Sequence, residues 1–119
     1  MPTQQLHETQ WDTNHRILDH LRARNIYPDW AVTIAFYTAL HSLERFLAQR
    51  NRHPRDHADR KNILLSYEPQ LSQQILNDYM AMYNASKTVR YQCITPTTRD
   101  IQDQIDRLTR IDTKVGPLV

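Results

Sequence analysis

A chain of 119 residues with a single glycine, Gly116, has few ways to make the tight positive-φ turns that β-hairpins need. That scarcity points to an all-α fold in which other residues end each element. Proline does most of this punctuation: Pro28, Pro54, Pro69, Pro96 and Pro117 fall between periodic segments and divide the chain into helix-sized pieces. The pattern predicts helices near residues 4–24, 30–50, 57–67, 70–93 and 98–114, with Asp29 capping the second and Thr97 or Thr98 the fifth. No repeat, linker or low-complexity tract divides the chain. Residues 1–119 therefore read as one domain, a four- to five-helix up-and-down bundle.

At 3.6 residues per turn the apolar faces can be placed. The first helix gathers Leu6, Ile17, Leu18 and Leu21, and the last gathers Ile101, Ile105, Leu108 and Ile111. The second carries a broad face of Val32, Phe36, Ala39, Leu40, Leu43, Phe46 and Leu47, and on its opposite side Trp30, Ile34, Tyr37, His41 and Glu44. A helix built this way is expected to be covered twice, by its own bundle and by a neighbour or partner. The fourth helix has an arc of Ile75, Leu76, Tyr79, Met82, Tyr83 and Val89, with Ser86 and Arg90 in its middle. An arginine on a core face must find an acceptor, because an unpaired buried charge is costly. Tyr79, Tyr83, Ser86 and Arg90 thus form one stripe that is either a structural network or the lining of a cleft.

Several classes of function are excluded by what the sequence lacks. With one glycine there is no phosphate-cradling loop, dinucleotide fingerprint or nucleophile elbow, so no cofactor is expected. No run approaches the ~18 apolar residues of a membrane span, and Met1 to Asp12 is polar, so the expectation is a cytoplasmic protein with no membrane partner. Cys93 is the lone cysteine. His53 and His57 are four apart, but Pro54 interrupts them and no third ligand accompanies them, so no metal site is expected.

Net charge is only +2, but its distribution is uneven. Between Arg50 and Lys61 lie Arg52, Arg55 and Arg60, opposed only by Asp56 and Asp59 and interleaved with His53 and His57. Such a segment can track a phosphate backbone, with Tyr67 nearby to stack on an unpaired base, or it can be a solvated loop.

Trp30, Phe36-Tyr37, Ala39-Leu40-His41, the basic loop with His57 and Arg60, and then Tyr79, Tyr83, Ser86 and Arg90-Tyr91 together resemble a HEPN domain over about residues 28 to 92. The resemblance implies a bundle of four or five helices, commonly dimeric, that binds RNA or nucleotides. Some members are metal-independent ribonucleases of toxin–antitoxin, CRISPR and phage-defence systems, and others have lost catalysis. Catalytic members carry an arginine, usually followed by a polar residue, then a short spacer and a histidine. Arg52-His53-Pro54-Arg55-Asp56-His57 has that form, although it lies in the connection before the third helix, and no histidine follows Arg90 on the late helix. By this resemblance the chain is expected to form a homodimer, through the second helix or the edge near His41. The competing reading is a non-catalytic interaction module in which the stripe of the fourth helix is structural and the second face of the second helix docks a partner protein, such as one from a neighbouring gene.

Metal-free RNA cleavage needs a base for the 2′-hydroxyl, an acid for the leaving oxygen and cations for the developing phosphorane charge. His57 is the candidate acid or base, with Arg52 and Arg60 clamping phosphate; otherwise it caps the third helix or is solvated beside Asp56. His41, in line with Tyr37 and Glu44, is a second catalytic candidate or an ordinary interface or core histidine. Arg55, Lys61, Arg90, Tyr83 and Ser86 complete the expected phosphate- and RNA-binding set. Arg90 has the alternative of pairing with a buried carboxylate such as Glu44.

Overall fold

Turns made without glycine account for much of this architecture. In the computed structural model, which describes residues 1–119, the chain forms α1 (Gln4–Arg24), α2 (Pro28–Gln49), α3 (His57–Ser66), α4 (Glu68–Leu71), α5 (Gln73–Tyr91) and α6 (Thr98–Val115), followed by a 3-10 turn at Gly116–Leu118. There are no strands, and no helix is long and apolar enough to cross a membrane. The left-handed backbone that glycine would normally supply is taken by Asn25, Tyr27, Asn51, Ser72 and Cys93, all at positive φ. Contrary to the expectation of few such turns, the scarcity of glycine leaves five positions at positive φ. Asparagine tolerates this region through local hydrogen bonding, whereas tyrosine, serine and cysteine hold it against steric cost.

These turns also correct two helix boundaries. Asp29 does not cap α2: Pro28 occupies the first turn, where its missing N–H is harmless, and the cap position falls to Tyr27 at φ 50°. Asp29 sits in that first turn as a charge complement to the helix dipole. The single helix expected over 70–93 is broken at Ser72, whose φ of 76° and ψ of 153° no helix accommodates. Pro69 does not interrupt a helix there but sits in the first turn of the short α4. The start of α6 is as expected, Thr97 accepting from the Asp100 amide and the Asp100 carboxylate accepting from the Thr97 amide.

Helix α2 is the centre of the bundle, packed against α1, α5 and α6. Phe36, Ala39, Leu43, Phe46 and Leu47 are buried and meet Leu18 and Leu21 of α1, Leu76, Tyr79 and Met82 of α5, and Leu108 and Ile111 of α6. The second face of α2 is covered piecemeal: His41 meets His7 of α1, Glu44 meets Arg60 of α3, Tyr37 meets Arg90 of α5, and Trp30 stays exposed. Leu6 and Ile17 face outward, contrary to the apolar reading of α1. The inward seam is instead His7, Trp11, Asn14, Leu18 and Leu21, spaced four and three apart, and its polar members are bonded: Gln10 donates to Asn14 at 2.8 Å, and Trp11 Nε1 donates to Asp112 at 3.0 Å. Asp78 of α5 is fully buried and pins α6, accepting two bonds from Arg110 at 2.8 and 2.9 Å and one from Arg107 at 3.3 Å.

Candidate phosphate-binding cavity

The start of α3 decides where the site forms. The Asp56 carboxylate accepts from the Asp59 amide at 2.8 Å, and Asp59 in turn accepts from the Arg55 amide at 2.9 Å. This cap makes His57 the first residue of α3 and sets Arg60, one turn on, along the same face. His57 lies flat on Tyr83 of α5, ring centroids 3.5 Å apart and planes within 8°, while its Nδ1 is 3.3 Å from the Tyr79 hydroxyl. Its capping alternative does not apply, because Asp56 is the cap. Arg60 Nε donates to Glu44 Oε1 of α2 at 2.6 Å, a close pair between two largely buried side chains.

His57, Arg60, Tyr83 and Arg90 line one cavity of about 320 Å³ with Tyr37, Lys87 and Tyr91, floored by Phe36 and Leu40. That volume is at the small end of sites for compact ligands. Three cations reach its lining, and no carboxylate does. Glu44 neutralises Arg60 from behind. Arg90 is held only by neutral acceptors: the Ser86 carbonyl at 3.1 Å, Ser86 Oγ at 3.3 Å and the Tyr37 hydroxyl at 3.4 Å. The alternative pairing of Arg90 with Glu44 is not formed, since that carboxylate is occupied by Arg60 and lies 3.9 Å from His7 Nε2. Ser86 is buried beneath Arg90 and orients it, so its contribution to a ligand would be indirect.

The surroundings shift the titration of two histidines. Partial burial, then the charges of Arg60, Lys61 and Lys87, lower the His57 pKa, with Asp56 opposing, which favours the neutral ring. Burial also raises the Tyr79 hydroxyl pKa, Arg60 partly offsetting it. His41 lies outside the cavity lining. Its Nδ1 meets His7 Nδ1 at 3.0 Å, and burial, followed by His7 and Arg60, brings its pKa down to about 4. His41 and His7 thus stand behind the Glu44–Arg60 pair rather than beside His57.

The remaining candidates lie elsewhere. Arg52 and Arg55 are exposed on the loop before α3, Arg55 pairing with Asp59 at 3.5 Å, and neither lines the cavity. Lys61 borders a different hollow between α3 and α5. Tyr67 packs perpendicular to Phe46, 5.4 Å between centroids, and does not line the cavity. Lys87 went unnoticed in the sequence, although Tyr83, Lys87 and Arg90 are spaced four and three apart and the stripe could have included it. No protein-family model, curated protein or solved structure matches this chain.

Proposed function

We propose that the chain is an RNA- or nucleotide-binding protein of HEPN type, and that a phosphate of its ligand occupies the cavity between α2, α3 and α5. The observation that supports this most is the lining: Arg60, Lys87 and Arg90 converge beside His57 with no carboxylate among them, and only Arg60 has an anionic partner. Guanidinium and ammonium groups gathered over a concave, aromatic-walled surface suit a phosphodiester better than a neutral ligand. The family resemblance adds a second copy of the chain and a toxin–antitoxin or phage-defence setting to this reading.

Cleavage extends the same proposal. A neutral His57 would take the 2′-hydroxyl proton as that oxygen attacks the adjacent phosphorus; the P–O5′ bond breaks, giving a 2′,3′-cyclic phosphate, and the leaving 5′-oxygen takes a proton from solvent water to become a 5′-hydroxyl. Lys87 and Arg90 would hold the phosphorane charge. One observation favours the second reading, a binding module without catalysis: Arg52 and His41 do not join His57 at the cavity. The two readings separate in one experiment, incubation of a single-stranded RNA pool with the protein in EDTA, alongside filter binding over a salt series. Under the binding proposal wild type binds, and log Kd rises with log salt by about 0.7 for each phosphate neutralised. Lys87→Ala should flatten that slope by about one such unit. Cleavage that survives EDTA and disappears in His57→Ala marks the nuclease; binding without cleavage marks the module. Absence of binding by wild type would refute both.

A further inference from the structure

A second cavity shares a wall with the first. It measures about 560 Å³ and lies between the α1–α2 turn and the segment after α5, with Tyr27, Asp29, Trp30, Cys93 and Ile94 around it and Arg90 on the side common to both. Its chemistry differs from its neighbour's. Its lining holds one carboxylate, Asp29, and one guanidinium, Arg90, together with two exposed aromatic rings: Trp30 is 57% exposed and Tyr27 61% exposed, though both are ring systems a folding core would bury. Both lips are held at positive φ by non-glycine residues, Tyr27 at 50° and Cys93 at 53°. Backbone kept in that region against side-chain sterics is a recurring property of binding sites.

We infer that this cavity takes an unpaired nucleobase stacked on Trp30, belonging to a single-stranded RNA whose neighbouring phosphate sits beyond Arg90 in the first cavity. The inference rests on the phosphate reading proposed above and adds where the base goes and which base is preferred. Three observations lead to it. Aromatic rings of the first cavity already have partners, although Tyr91 stays 72% exposed: Tyr83 carries His57 on its face, and Tyr37 and Tyr91 have the Arg90 guanidinium 5.9 and 5.2 Å from their centroids. In the second cavity, one wall away, Trp30 and Tyr27 are both exposed, and Trp30 presents the larger ring system. Asp29 makes the second cavity unfavourable for phosphate but supplies an acceptor for the amino group of a base, as carboxylates do for cytosine N4. Uracil presents only carbonyl oxygens and one imino proton on the corresponding edge. Cytosine is therefore favoured over uracil. A duplex, with its bases stacked and paired, cannot deliver one to Trp30.

The test uses full-length protein, with labelled octamers of cytidylate and of uridylate and an RNA duplex, read by anisotropy and by tryptophan fluorescence. The chain has two tryptophans, and Trp11 is half-buried and bonded to Asp112, so quenching on binding should come from Trp30. Wild type should bind the cytidylate octamer more tightly than the uridylate, quench with both, and show no quenching with duplex. Trp30→Ala should weaken cytidylate binding roughly fivefold to a hundredfold, the usual range for one lost base–aromatic stack, with Trp30→Phe between the two. Asp29→Asn should bring the two octamers to near parity. Circular dichroism checks that each variant is folded, which the exposure of both side chains favours. Unquenched fluorescence, or Trp30→Ala binding as wild type does while Lys87→Ala binds worse, overturns the base site and leaves the phosphate cavity standing. Failure of wild type to bind either octamer overturns both.

Discussion

The contact between His7 and His41 makes a quantitative statement about acid stability. Their Nδ1 atoms are 3.0 Å apart, with Glu44 and Arg60 adjacent, and His41 has a pKa of about 4 against an ordinary 6.5. The unfolded chain takes up a proton at His41 as pH falls through 6.5, and the folded chain resists until about 4. Stability is therefore unaffected by this group above pH 6.5, and it falls as pH drops through the window between the two values. The difference of about 2.5 units corresponds to about 3.4 kcal/mol at ~1.36 kcal/mol per unit, which we reduce to about 2 kcal/mol because the ring is only half-buried and water can reach it. His41→Gln removes the titration. Urea unfolding of wild type and variant should then be compared at pH 7 and pH 4.5. Between these two pH values wild type should lose about 1.5 kcal/mol more than the variant, or about 1 M in urea midpoint at an m-value of ~1.5 kcal/mol/M. Taking the difference cancels the common titration of carboxylates, of His57, whose lowered pKa acts in the same sense, and of His15, which Asp112 shifts the opposite way; His7 touches His41, so the difference reads the histidine pair as a unit. Equal losses in the two proteins would refute the claim that His41 is held neutral by this packing.

Two further outcomes follow from features of the fold. Ser72 occupies backbone that favours glycine, φ 76° and ψ 153°, so Ser72→Gly should stabilise the protein by about 1 kcal/mol after glycine's own entropic cost, seen as a Tm higher by roughly 4 °C; a lower Tm would show that the position is unstrained. Asp78 is fully buried between Arg107 and Arg110, whose side chains remain 32% and 45% exposed and can turn to water once released. Asp78→Ala should therefore cost about 2 to 3 kcal/mol in urea unfolding, less than a buried pair with both partners trapped, and a loss under about 0.5 kcal/mol would remove this cluster from the account of how α5 holds α6.

Helix positions and the broad face of α2 were legible because both follow from apolar periodicity and proline placement, which are local. The break at Ser72 was not, since serine carries no signal for a positive φ and only the packing of α4 and α5 selects it. The inward face of α1 was misread because its first three seam positions are His7, Trp11 and Asn14, residues that become suitable for burial only through partners such as His41 and Asp112 far along the chain. Within the candidate site, His57, Arg60, Tyr83 and Arg90 were named from the sequence and do line one cavity. The partners of Arg60 and Arg90 were not legible, because assigning Glu44 to one rather than the other depends on the rotation of α3 against α2.

Arg90 is a wall of both cavities. Its single positive charge cannot be satisfied twice over, so an anion filling one side lessens what the guanidinium offers to the other, whereas a neutral ring leaves that charge intact. The two cavities are thus thermodynamically linked, and linkage is reciprocal: whatever factor an occupant of the first imposes on affinity in the second, an occupant of the second imposes in return on the first. Two anionic ligands would compete through this one side chain without touching each other, and a ligand that spans both cavities would engage it only once.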